Sequence, residues 1–77
     1  MFNMTIEQVK KEILKNKNIK NIGFRCYDKS GRIQDAGREE LNRKKALKFL
    51  TIMIELYYDK CDIVKQSDKY VIVRYKA

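Results

Sequence analysis

The side chains able to do chemistry in this chain are nearly all charged ones, because it has no histidine and only two cysteines. Without an imidazole, proton transfer near neutral pH would rest on a carboxylate, lysine or tyrosine retuned by burial. Asp35, Glu39 and Glu40 are the closest carboxylate trio, and with Lys44 or Lys45 nearby they could form a divalent-metal nuclease site. The same spacing also suits acids gathered at a helix start, where the dipole favours negative charge, and this is the commoner arrangement. Ser30 and Ser67 fall in turns with no base to activate them. Gly23, Gly31 and Gly37 are too dispersed for a phosphate-binding loop. Cys26 and Cys61 are too few for a thiolate metal site. They lack C-x-x-C spacing and read as small buried thiols in a reducing compartment; a Cys26–Cys61 disulfide between neighbouring strands is the second reading. The expectation is no enzyme and no cofactor.

Positive charge is the larger signal. Lysine and arginine number 18 against 10 acids, a net charge of +8 in 77 residues. Such an excess bears on partners rather than on fold. Lys10, Lys11, Lys15 and Lys17, followed by Lys20, belong to one segment; Arg38, Arg43, Lys44, Lys45 and Lys48 belong to another. If both segments are helices on the same sheet face, their charges merge into one surface. Each phosphate neutralised there releases counterions, which gives salt-sensitive binding without base readout. A merely solvated lysine-rich face would carry the same pattern. Arg25 and Tyr27 on one strand, and Tyr70 and Arg74 on another, form a second candidate set. Arginines and aromatic rings on an open sheet can stack single-stranded bases. Cross-strand pairing that stabilises the outer face is the plainer account of the same residues.

The elements that must position these groups are legible from local pattern. Thr5 and Gln8 form a capping box, with Met4 placed to staple onto Val9. Ile6, Val9 and Ile13 then recur as a narrow apolar stripe, and Asn16 and Asn18 end the helix, since asparagine tolerates the left-handed conformation. Ile22, Phe24 and Cys26 alternate with Gly23, Arg25 and Tyr27, the period of a strand with one buried face. Asp28 to Gly31 makes a hairpin loop, Arg32 to Ala36 returns as a weak edge strand, and Gly37 breaks it. A helix is expected from Arg38 to about Asp59, with its start at Glu39 or Asn42 as alternatives. Cys61 to Gln66 and Tyr70 to Tyr75 are strands joined by a turn at Ser67–Lys69. The order α-β-β-α-β-β predicts one compact α+β domain over residues 1–77. It is a two-layer sandwich, a four-stranded antiparallel sheet with two helices on one face. Gly23-Phe24-Arg25-Cys26-Tyr27 loosely resembles part of an RNP1 strand, but the order of elements differs from both the RRM and the dsRBD.

Ten of the thirteen residues from Ala46 to Tyr58 are apolar, more than one-sided packing needs. Ala46, Leu50, Met53 and Tyr57 should face the sheet, and either Leu47, Ile54 and Tyr58 or the opposite flank can meet the first helix. Phe49, Ile52 and Leu56 are left as an uncovered flank, for which a two-fold homodimer is the simplest cover. No stretch is long and uninterrupted enough to span a bilayer. Met1 to Met4 leads straight into a helix cap without an apolar leader, so a cytoplasmic protein with no membrane association is expected. The leading functional expectation is a small basic protein that contacts the phosphates of DNA or RNA. A regulator of phage or mobile-element type, docking on an acidic protein surface, is the alternative. A third reading is a small ribonuclease toxin using Arg25, Arg74 or Tyr70.

Overall fold

The computed structural model describes residues 2–56 and 60–76, with the backbone alone for residues 34–38. The elements run α1 (Ile6–Lys15), β1 (Asn21–Tyr27), β2 (Ile33–Asn42), α2 (Arg43–Glu55), β3 (Cys61–Lys65) and β4 (Tyr70–Lys76). The α+β class and the α-β-β-α-β-β order are as expected. The Tyr57 and Tyr58 positions lie outside the described residues.

Helix α1 starts where its capping box places it. Gln8 N–H donates to Thr5 Oγ1 (3.2 Å) and Thr5 N–H donates to Gln8 Oε1 (2.9 Å). Ile6, Val9 and Ile13 are buried. The helix ends at Asn16 in extended backbone, φ −101°, and not in the left-handed conformation its residue type suggested. In the first hairpin, Asp28 Oδ1 accepts from the N–H groups of Ser30 and Arg32 (2.9 Å each) and from the Ser30 hydroxyl (2.6 Å). The Ser30 hydroxyl, then the Arg32 N–H, hold the Asp28 carboxyl below its ordinary pKa. Gly31 supplies the positive φ, 88°, that the turn requires.

One expectation is corrected and one alternative is chosen. The strand does not stop at Gly37, and the helix takes the Asn42 alternative rather than Arg38 or Glu39: β2 continues to Asn42, and α2 starts at Arg43 with Asn42 as its cap, accepting from Lys45 N–H at 2.9 Å. Charged residues 38–40 suit either a helix start or an edge strand. The buried strand β1 decides between them. Its Asn21–Arg25 backbone needs partners, and Arg38 to Asn42 supply them in register. Beyond Arg25 the register shifts, so that Tyr27 faces Ile33. This irregularity and the charges blunt the edge.

The sheet is mixed rather than antiparallel. Its order is β2-β1-β4-β3, with β1 and β4 parallel at the centre and the two hairpins antiparallel. Helix α2, about 20 Å long, returns the chain to the end where β2 began. Strand β3 therefore runs parallel to β2, at the opposite edge. The longer strand β4, rich in valine and tyrosine, takes the interior position, while short β3 takes the edge. In this register Cys26 faces Tyr75, and Tyr75 faces Cys61. The two thiols are thus two strand spacings apart, about 9–10 Å, beyond the reach of a disulfide. The neighbouring-strand disulfide reading is excluded.

One core lies between the sheet and the helices. Ile6, Val9 and Ile13 of α1 and Ala46, Leu50 and Met53 of α2 pack on Ile22, Phe24, Cys61, Val71, Val73 and Tyr75. Phe49, expected on the uncovered flank, turns inward instead, with its ring edge-on to Phe24 at 4.9 Å. Ile52 on α2 (54%) and Leu56 at its C-cap (62%) are exposed. No helix among the described residues is long and apolar enough to cross a membrane.

Candidate functional site

Strand alternation sends Arg25, Tyr27, Tyr70, Ile72 and Arg74 to the face away from the helices, as expected, and Arg25 and Arg74 each have a carboxylate partner there. Arg25 Nη2 donates to Glu40 Oε1 at 2.6 Å, and the Tyr70 hydroxyl donates to the same carboxylate at 2.7–2.9 Å. The network passes directly over Gly23. A Cβ there would stand 2.7 Å from the Tyr70 oxygen and 3.0 Å from Glu40 Oε2, so glycine makes the room. Arg74 forms a two-pronged pair with Asp62 and lies 5.4 Å from the Phe2 ring, which is itself edge-on to Tyr27. The Asp62 carboxylate raises the pKa of Arg74, and Glu40 does the same for Arg25. Arg25 and Arg74 on the open face are thus neutralised by cross-strand carboxylates.

Glu40 shows opposing forces. Burial pushes its carboxyl up, but bonds from Arg25 and Tyr70 outweigh burial and hold it below the ordinary value. Tyr70 is raised, by burial first and then by donation to Glu40. A depressed carboxyl favours the fold above its unfolded pKa of about 4.3, and that contribution disappears as pH falls through the lower folded value. The raised tyrosine acts at the other end, favouring the fold below about pH 10 and losing that contribution as pH rises through its folded value. Urea midpoints measured across about pH 3–7 should therefore fall on the acid side. Glu40→Gln should flatten that slope, by a small amount because Glu40 is half exposed. An identical acid slope in the variant would contradict this.

The basic residues of the helices divide into two groups. Arg43 does not face solvent as its lysine neighbours do. Its Nη1 donates to the carbonyls of Asn16 and Ile19 (3.0 Å each), and its Nη2 to Ile13 (2.8 Å) and, at a longer 3.5 Å, Leu14. It meets the carbonyls that α1 leaves open at its C-terminus, and its charge suits the negative end of that dipole. Lys10 reaches across to Thr51 Oγ1 at 3.0 Å. Together these bonds set α1 and α2 antiparallel, with the C-terminus of α1 beside the N-terminus of α2.

Lys11, Lys15, Lys17, Lys20, Lys44, Lys45 and Lys48 are exposed. Most of them gather at one end of the molecule. The end of α1, the α1–β1 loop, the β2–α2 junction and the β3–β4 turn meet there, since Lys20 N–H and Asn21 N–H both donate to Lys69 O, and Arg43 N–H donates to Lys20 O. Lys15, Lys17, Lys20, Lys44, Lys45 and Lys69 therefore share one end of the sheet. The nearby carboxylate of Asp68 is engaged by Lys65 at 3.4 Å. The first turn of α2 carries no acid, although the dipole favours one there. Lys69 is not among the residues that local sequence pattern singles out. Its place follows from strand register, which local pattern does not carry.

Of the carboxylate trio, Glu40 is bound to Arg25 and Tyr70, Glu39 is exposed, and the Asp35 side chain lies outside the described residues. Among the described residues no three cysteine, aspartate or glutamate side chains converge. What the basic end can do chemically is neutralise a polyanion. Compared with known proteins, the chain matches no family model, no curated protein and no solved structure.

Proposed function

We propose that this chain is a small, non-enzymatic nucleic-acid-binding protein of the cytoplasm that holds backbone phosphates on its basic end and reads no base edges. The convergence of Lys15, Lys17, Lys20, Lys44, Lys45 and Lys69 from four separate segments carries this reading. Lys11 and Lys48 extend the surface along the two helices. The neutralised Arg25, Tyr70 and Arg74 are assigned no contact with bases, because contact would break pairs the sheet already holds. The test is fluorescence anisotropy with mixed-sequence duplex DNA and with single-stranded RNA. About six phosphate contacts would cost roughly a thousandfold in affinity between about 50 and 200 mM salt. A protein that binds neither ligand at the lower salt ends the proposal.

The proposal includes a two-fold pair through Ile52 of α2 and Leu56 at its C-cap, both exposed. It would bring two basic ends into one particle and raise affinity by avidity. Replacing both residues with glutamate should give folded monomers by light scattering. A monomeric wild-type chain would remove the pairing and leave the binding reading intact.

A further inference from the structure

The N-terminal segment wraps round the β3 edge. Phe2 lies against Tyr27 and Arg74 on the open face, Met4 pairs with Cys61 at the edge, and α1 then begins on the other face. The Met4–Cys61 pair exchanges two backbone bonds of 2.9 Å each, so the Cys61 N–H and C=O point away from β4. Backbone groups alternate along an antiparallel strand. Those of Ile63 and Lys65 therefore point outward too, and among the described residues no strand pairs with them. Directly alongside is a groove of about 290 Å³ between α1 and β3, floored by Met4, Ile19, Ile63 and Val71.

We infer that the Ile63–Lys65 edge is a docking site for an extended, acidic peptide segment of a partner protein, added antiparallel to β3 in line with the Met4 pair. Main-chain bonds to Ile63 and Lys65 would hold the segment, and an apolar side chain would enter the groove. Charge chooses the occupant. The groove rim carries Lys65 and Glu12, and it abuts the end of the sheet where Lys15, Lys17, Lys20 and Lys69 gather. Acidic side chains flanking the apolar one fit that surround. A second copy of this chain, with the same net charge of +8, would bring no surplus of acid to these lysines. The edge of β2 is the weaker candidate because its register is broken by the shift between Arg25 and Tyr27.

The experiment is amide hydrogen exchange on the wild-type chain, with a short peptide alternating valine and glutamate as the probe. At ten times its dissociation constant the peptide should slow exchange at Ile63 and Lys65 about tenfold, leaving the β2 edge unchanged. Lys65→Pro removes an outward N–H that the β3–β4 ladder does not use. It should abolish binding, while Lys65→Gln should weaken it only a few-fold. Protection at β2 instead, no protection at either residue, equal binding of a valine–lysine peptide, or equal protection of the same amides by an oligonucleotide would each overturn the inference. The wild-type mapping decides the matter even if the proline variant folds poorly.

Discussion

Arg43→Ala should lower the thermal midpoint by about 10–20 °C, taking roughly 4–8 °C per kcal/mol for a domain of this size. The guanidinium donates to the carbonyls of Ile13, Asn16 and Ile19, with a longer contact to Leu14, and two of these bonds are partly buried. Hydrogen bonds from a charged donor contribute about 1.5–3 kcal/mol, and acceptors left unpaired add their desolvation cost. Loss of a cation at the end of α1 adds about 0.3–1 kcal/mol. A total of about 2–4 kcal/mol is a large share of the roughly 4–11 kcal/mol that a chain of this length holds in reserve. Arg43→Lys should recover the dipole contribution but not the forked geometry, because one ammonium cannot span these carbonyls. A midpoint within 3 °C of wild type for the alanine variant, on the order of 0.5 kcal/mol, would show that Arg43 does not cap α1.

The second large effect concerns binding and leaves stability alone. Changing Lys15, Lys17, Lys44 and Lys45 together to glutamine lowers the net charge from +8 to +4, one unit for each lysine removed. All four are exposed, and among the described residues no ion pair or side-chain hydrogen bond engages them. Each exposed substitution should move stability by no more than about 0.5 kcal/mol. Affinity for duplex DNA should fall on the order of a thousandfold at about 0.1 M salt, and the log–log salt slope should become shallower by about 3–4. The comparison with Arg43→Ala is the decisive part. If Arg43 is a structural cap and the lysines are the phosphate contacts, one variant loses stability and the other loses affinity. A quadruple variant that binds like wild type would show that the converging lysines are only a solvated surface.

How much of this was legible varies from element to element. Helix α1 was readable nearly to the residue, because Thr5 and Gln8 cap it and Ile6, Val9 and Ile13 mark its buried side within a few residues of one another. Strand β1, the Gly31 hairpin and strand β4 were readable for the same reason. The β2–α2 boundary was open among Arg38, Glu39 and Asn42, and Asn42 is the cap. Residues 38–42 carry a pattern shared by helix starts and edge strands, and the unmet backbone of β1 chose the strand. The candidate site was legible only as a list. Arg43 stood among the lysines in sequence, and nothing nearby in the chain reveals that its guanidinium caps a helix ending 28 residues earlier, at Lys15. Phe49 likewise looked like a free flank residue until Phe24 was found beneath it.

The sequence by itself determined the α+β class, the order of elements, most caps and turns, and the surplus of eight positive charges. Those properties depend on composition or on residues within about four positions of one another, where helix and strand periods act. Only the tertiary structure decided that β1 and β4 are parallel neighbours, that Arg25 and Arg74 are neutralised, and that lysines from four segments meet at one end. These depend on which distant strands share backbone bonds. Two hairpins can be joined through either strand of each, and the choice came from which strand could best be buried at the centre.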